Sequence, residues 1–281
     1  MDRIPLTNHQ ILHFLNEDGV DKTTLSIPSI VHKECQFKFI SKQKEDFIFC
    51  GEEVMSLILN TISNTNFKIQ NLKKDGDIVC YEETILEGTA NIANFLLAER
   101  TALNLIQQLS AISTNARILK NALNSQSIKL LDTRKTTPGL RMLQKYAAKC
   151  GGAVNHRFGL GDLIMIKDNH IYAAGGIKNA ICEAIKSNNN NLEIEVECET
   201  LEDVKEAIKH KIQYIMLDNM SIEVIEQAVA IIKTTNIKIE VSGGVNLENI
   251  SNFSKLDIDF ISCGAITHSI KSIDISAKIT I

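Results

Sequence analysis

The spacing of apolar and polar residues changes character near residue 125. Before that point, CQFKFIS (35–41) and DFIFCG (46–51) read as strands, EEVMSLILNTI (52–62) takes helical spacing, and DGDIVCYEETILEG (75–88) returns to alternation after a glycine turn. Residues 1–15 predict a short amphipathic helix, and the polar NEDGVDKTT (16–24) predicts a loop. A long helix is expected from Asn94 to Leu123, because no Pro or Gly interrupts it. Asn94 is its expected cap, and Leu96, Leu103, Ile106 and Leu109 form its apolar stripe.

After Gln126 a larger period sets in: apolar run, polar residue, loop, helix. The runs are IKLL before Asp132, LIMI before Lys167, IEV before Glu197, YIML before Asp218, IEV before Ser242, and FIS before Cys263 and Gly264. Helical segments such as LRMLQKYAAKC, LEDVKEAIKH and IEVIEQAVAIIK lie between most of them. Alternating strands and helices imply a parallel sheet with right-handed crossovers. Six such strands suit a partly closed α/β barrel, in which polar residues at strand C-termini build the active site.

Charge sharpens that expectation. The 281-residue chain has a formal net charge of −4, so a nucleic-acid partner, which asks for a basic face, is not expected. Its fixed positive charge concentrates between Leu130 and His170, at Arg134, Lys135, Arg141, His156, Arg157 and Lys167. On an acidic protein this predicts a pocket for a small anion, and the arginine fork suits carboxylates and phosphates. SGGV (242–245) and CGAITHS (263–269) offer glycines where backbone N–H groups can approach a phosphate. The dinucleotide fingerprint fails at GLGDLI, where Ile164 replaces the third glycine.

The seven cysteines show no CxxC or Cys/His ligand spacing and are expected to be mostly buried free thiols in a reducing cytoplasm. No apolar run approaches the roughly 20 residues that cross a bilayer, and MDRIPLTNHQILHFL lacks the features of a secretory signal. No membrane partner is expected.

LLAERTALNLIQQLSAIST, LDTRKTTPG, the NHR at 155–157, IKDNH, IEVECETLEDV, YIMLDNMS, VSGGVNLENI and ISCGAITHS, taken together and in this order, resemble the quinolinate phosphoribosyltransferase family, also called nicotinate-nucleotide pyrophosphorylase. Ala153 and Ser113 stand where that family has Gly and Ala, and NEDGVDKTT matches its N-terminal acidic segment only loosely. The resemblance implies an N-terminal α/β sandwich over 1–125 that ends in a long helix. An incomplete α/β barrel over 126–268 carries the active site, and a tail of about 269–281 packs back on the sandwich. It further implies a homodimer with shared sites and transfer of phosphoribosyl from phosphoribosyl pyrophosphate to quinolinate. Decarboxylation follows, and Mg²⁺ is the metal.

By the same resemblance, Arg134, His156 and Arg157 hold the two carboxylates of quinolinate, and Arg100 reaches in from the neighbouring subunit. Lys135 and Lys167 lie between the substrates and the pyrophosphate. Glu197 and Asp218 hold the ribose hydroxyls and the metal side of the sugar phosphate. Ser242, Gly243, Gly244, Gly264 and His268 match the 5′-phosphate loops. From the residues alone, a barrel lysine such as Lys167 is also compatible with a Schiff-base lyase.

Overall fold

The computed structural model describes residues 3–19, 32–62 and 66–281. Its elements begin with α1 (Asn8–Glu17), β1 (Glu34–Ser41), β2 (Phe47–Ile48), α2 (Val54–Ile62), β3 (Lys68–Asn71), β4 (Ile78–Val79), β5 (Thr84–Asn91) and α3 (Ile92–Leu123). They continue with β6 (Lys129–Leu131), α4 (Arg141–Gly151), β7 (Ile164–Ile166), α5 (Asp168–Ala173), α6 (Ile177–Ser187), β8 (Ile194–Cys198) and α7 (Leu201–Ala207). Last come β9 (Tyr214–Asp218), α8 (Ile222–Ile232), β10 (Lys238–Ser242), β11 (Phe260–Ser262), α9 (Ala265–His268) and β12 (Ile275–Thr280). Of the loop expected at 16–24, Asn16 and Glu17 instead close α1, and residues 20–24 lie outside the described residues.

Two compact units emerge. One comprises Met1–Arg117, Met142–Gly152 and Ile270–Ile281; the other comprises Ile118–Arg141 and Ala153–Ser269. The first is organised on an antiparallel sheet of order β12-β1-β5-β3. β1 alternates exposed Glu34, Gln36 and Lys38 with buried Cys35, Phe37 and Phe39, the pattern of a sheet with one packed face. Phe37 meets Phe95 of α3 with ring centroids 4.8 Å apart. The last strand pairs along β1 from Gln36 opposite Thr280 to Ser41 opposite Ile275.

α3 starts two residues earlier than its expected cap. Asn91, not Asn94, does the capping: its Oδ1 accepts the N–H groups of Ala93 and Asn94 at 3.0 and 3.3 Å. Asn94 is then an ordinary helical position. Within the stripe, Leu103, Ile106 and Leu109 are buried while Leu96 is only half-buried, its place in the core being taken by Phe95. Ser113 spends its hydroxyl on the Ala147 carbonyl at 2.8 Å. Five of the seven cysteines are buried; Cys80 and Cys182 are exposed.

The second unit is a parallel sheet of six strands in the order β6-β11-β10-β9-β8-β7. Its terminal strands β6 and β7 do not pair with each other among the described residues, so the α/β barrel is incomplete. β6 uses Lys129 and Leu131 to bond toward β11. The alternate groups, Leu130 C=O and Asp132 N–H, bond Val154 instead, which therefore occupies the free edge of β6. Each strand sends residues two apart to one face, pairing Met165 with Lys167, Glu195 with Glu197, Met216 with Asp218, and Glu240 with Ser242. No helix of the described residues is long and apolar enough to cross a membrane.

Candidate active site

At the C-terminal ends of the parallel strands lies a cavity of about 490 Å³. Thr133, Arg134 and Lys135 line it from the loop after β6, and His156 and Arg157 from the segment before β7. Met165, Lys167, Met216, Asp218, Ser242 and Ser262 come from strands or their ends, with Asn219, Gly243 and Gly244 in the following turns. For β7 and β9 both residues that alternation assigns to one face line the cavity, and β10 contributes Ser242.

Cations dominate this wall. Arg134, Lys135, Arg157 and Lys167 face the cavity, with Asp218 the one lining carboxylate among the described residues. Among the described residues no carboxylate lies within ion-pairing distance of Arg134, Lys135 or Arg157. Arg134 Nε is buried without a hydrogen-bond partner. Burial, then the charge of neighbouring Arg134, lowers the Arg157 pKa. Two guanidiniums held side by side in partial burial are costly until an anion joins them. Arg157 is nonetheless fixed, with Nη1 donating to the Leu163 carbonyl at 3.0 Å and Nη2 to Met165 Sδ at 3.4 Å. Arg141, from the same basic cluster, does not line the cavity; it ties Thr136 to the Phe158 carbonyl at 3.1 Å each.

Lys167 makes a close ion pair with Glu197, whose side chain is nearly buried. Glu197, Glu199 and Asp218 bring carboxylate oxygens within 4.8 Å of one another, a hard-oxygen set that fits Mg²⁺. Asp218 also accepts from Asn219 Nδ2 at 2.6 Å. Asn219 stands at φ +55 and donates its N–H to Ser242 O at 3.1 Å, which brings the β9 turn against the β10 turn. A Cβ on Gly243 would fall 2.3 Å from Asn219 Oδ1, and Gly243 and Gly244 have φ of +92 and +60. Only glycine lets this turn expose its backbone N–H groups without strain. Gly264 lies against both Lys135 and His268, since a Cβ there would be 2.9 Å from Lys135 Cδ and 3.0 Å from His268 Nε2. Thr267 Oγ1 donates to the Lys135 carbonyl at 2.8 Å.

His156 is held from several sides. Its N–H donates to Asp132 Oδ1 at 2.9 Å, and its Nδ1 accepts the Arg157 N–H at 2.7 Å. Its Nε2 lies 3.3 Å from Glu240 Oε2 and 3.4 Å from Glu195 Oε2. Burial alone would lower the ring pKa, but the two carboxylates outweigh it and raise it to about 9. Because Nδ1 faces an N–H, the retained proton belongs to the Nε2 side, shared with the carboxylates. Burial and the like charge of Glu240 raise the Glu195 pKa.

The structure thus gathers Arg134, Lys135, His156, Arg157, Lys167, Glu197, Asp218, Ser242, Gly243, Gly244, Gly264 and His268 at one end of the parallel sheet. Arg100 is exposed on α3 in the first unit. Sequence reasoning missed Thr133, Met165, Met216, Asn219 and Ser262 in the lining, and the buried pair Glu195 and Glu240. The missed signal was a glutamate in the middle of two otherwise apolar strands, where an unpaired charge is not tolerated.

Fold and site together define an α/β-barrel enzyme that takes polyanionic, phosphate-bearing substrates. Residues 21–110 match the quinolinate phosphoribosyl transferase N-terminal domain and residues 112–278 the C-terminal domain. The chain is 42% identical over 279 residues to a probable nicotinate-nucleotide pyrophosphorylase (carboxylating) of Bacillus subtilis (strain 168), covering 98% of this chain and 93% of the relative. The crystal structure of NadC from Streptococcus pyogenes superposes with a TM-score of 0.91 at 38% identity over 99% of both chains. The nicotinate-nucleotide pyrophosphorylase from Francisella tularensis does so at 0.88 and 37% over 100% of both. The chain belongs to the quinolinate phosphoribosyltransferase family.

Proposed function

We propose that this chain transfers the phosphoribosyl group of phosphoribosyl pyrophosphate to the ring nitrogen of quinolinate, giving nicotinate mononucleotide, pyrophosphate and CO₂ in de novo NAD biosynthesis. The observation that carries this reading is the convergence of Arg134, Lys135 and Arg157 on one cavity without an ion-paired carboxylate among the described residues. Quinolinate brings two adjacent carboxylates, and the sugar pyrophosphate brings the remaining negative charge. Arg134 and Arg157, with His156 beside them, hold the carboxylates. Arg100 of a second copy of the chain completes each site in a homodimer. Lys135 and Lys167 offset the charge of the departing pyrophosphate, and the Ser242–Gly244 turn with Gly264 and His268 receives the 5′-phosphate.

As the C1–O bond to pyrophosphate breaks, the ribose acquires oxocarbenium character, which Glu197 and Asp218 stabilise from nearby while orienting the hydroxyls. The ring nitrogen forms the new bond at C1 and becomes cationic. The adjacent carboxyl then leaves as CO₂, and the electron pair left at C2 is stabilised by that charge until it takes a proton. Glu197 and Asp218 would hold Mg²⁺ together with the substrate diphosphate, and the ion would supply neutralisation of the diphosphate charge. No Schiff base is required, and Lys167 is ion-paired with Glu197 while still lining the cavity. The setting is cytoplasmic.

The test is formation of nicotinate mononucleotide from quinolinate by the purified protein, with nicotinate in parallel and each reaction repeated after exhaustive chelation. Quinolinate turnover that stops on chelation and returns with Mg²⁺ is expected. Absence of product from quinolinate, or equal use of nicotinate, overturns the assignment.

A further inference from the structure

The carboxylate clamp stands on a layer of buried acid. Glu195 and Glu240 are 1% and 2% exposed, yet neither contacts a lysine or arginine among the described residues. Buried carboxylates without compensation are strongly destabilising. Here the compensation converges on one imidazole: His156 Nε2 lies within 3.4 Å of both. Ser262 Oγ donates to the other oxygen of Glu240 at 2.6 Å and so orients that carboxylate.

The two nitrogens of this ring have opposite duties. Facing two carboxylates, Nε2 must carry the hydrogen; facing the Arg157 N–H at 2.7 Å, Nδ1 must present its lone pair. In a neutral imidazole these demands select one tautomer, and the partner of one nitrogen decides the state of the other. With the acids removed, a hydrogen at Nδ1 becomes accessible, and it would meet the Arg157 N–H head-on. That would displace the backbone of a residue whose guanidinium is aimed into the cavity. No ion pair joins either acid to the Arg157 guanidinium among the described residues, although the charge of Glu195 is felt there.

We infer that Glu195 and Glu240 are positioning residues for the carboxylate clamp: they seat the His156 ring in one orientation, and the ring seats the backbone of Arg157. The inference rests on the quinolinate reading of the cavity and adds to it a layer that does not touch substrate. It predicts a defect confined to the dicarboxylate, because the phosphate turn and the Lys167–Glu197 pair are supported separately.

The experiment measures kcat, KM for each substrate and the melting temperature for wild type, Glu240→Ala, Glu240→Gln and Ser262→Ala. Glu240→Ala is expected to raise KM for quinolinate about tenfold, the order set by losing one close charged contact in a buried site, with KM for phosphoribosyl pyrophosphate and kcat within about twofold. Glu240→Gln still offers an oxygen to Nε2–H and is expected to recover most of the loss. Ser262→Ala, which removes the hydrogen bond that orients Glu240 and one hydroxyl from the cavity wall, is expected to show the same selectivity more weakly and provides the reading if Glu240→Ala does not fold. A Gln variant as impaired as the Ala variant, or equal effects on both substrates, overturns the positioning role. Wild type inactive on quinolinate overturns the functional reading itself, whereas an active wild type with unchanged quinolinate KM in Glu240→Ala overturns only this inference.

Discussion

Gly243→Ala tests whether the turn after β10 is a phosphate seat whose shape depends on two neighbouring strands. The φ of +92 would by itself cost an alanine about 1–3 kcal/mol. The added methyl would also stand 2.3 Å from Asn219 Oδ1 and 2.6 Å from Asn219 N. The amide cannot retreat freely, since its N–H donates to Ser242 O at 3.1 Å, and the side chain is tied to Asp218 at 2.6 Å. Overpacking of this kind adds about 1–3 kcal/mol, for a total of roughly 2–6 kcal/mol.

Gly244→Ala is the matched control. Its φ is +60, but no heavy atom lies within 4 Å of the added methyl, so only the conformational cost of about 1–2 kcal/mol applies. At about 2–4 °C per kcal/mol, the control should lower the melting temperature by a few degrees and Gly243→Ala distinctly more. In steady-state assays Gly243→Ala should raise KM for phosphoribosyl pyrophosphate by about tenfold or more while leaving quinolinate KM near wild type, because displaced N–H groups no longer meet the phosphate. Equal melting losses in the two variants, or a Gly243→Ala enzyme with ordinary phosphoribosyl pyrophosphate kinetics, would refute the reasoning.

Arg157→Ala should lower kcat/KM for quinolinate by at least about tenfold, and Arg157→Lys should recover little, since an ammonium cannot reproduce the two-pronged contact; near-normal kinetics in either would contradict the clamp. Mixing an Arg100→Ala chain with a Lys135→Ala chain should restore part of the activity if each site draws Arg100 from the other copy, and verified mixed dimers without recovery would defeat that idea. Against burial, Glu195 and Glu240 raise the His156 pKa from 6.5 to about 9 on folding, and because Nδ1 accepts the Arg157 N–H the extra proton bound between those values is held on the Nε2 side by the His156–Glu195–Glu240 cluster as a whole, with Nδ1 left bare. The associated stability is complete below pH 6.5 and is lost as pH rises through about 9, at up to about 1.4 kcal/mol per pH unit. Denaturant unfolding from pH 6 to 9.5 should show this slope in wild type and a flatter one in His156→Asn; parallel slopes would contradict the assignment.

What the amino-acid sequence determined by itself is the part that local pattern can carry. Runs such as YIML and LIMI, each followed by a polar residue and then a helix, imply parallel strands whose ends hold Asp218 and Lys167, because burial on both faces demands continuous apolar residues. The density of Arg134, Lys135, Arg157 and Lys167 on an acidic chain already implied an anion pocket. Tertiary structure decided what depends on residues far apart in the chain. Asn91 rather than Asn94 caps α3 because the helix starts where β5 ends, and the spacing of apolar residues does not mark that junction to two residues. Pairing of β12 with β1, and Val154 on the free edge of β6, are long-range registers that no local period records. Glu195 and Glu240 read as isolated polar interruptions of apolar strands until the barrel places both beside one histidine. A buried charge is tolerable only through its partners, and partners are a property of the folded chain.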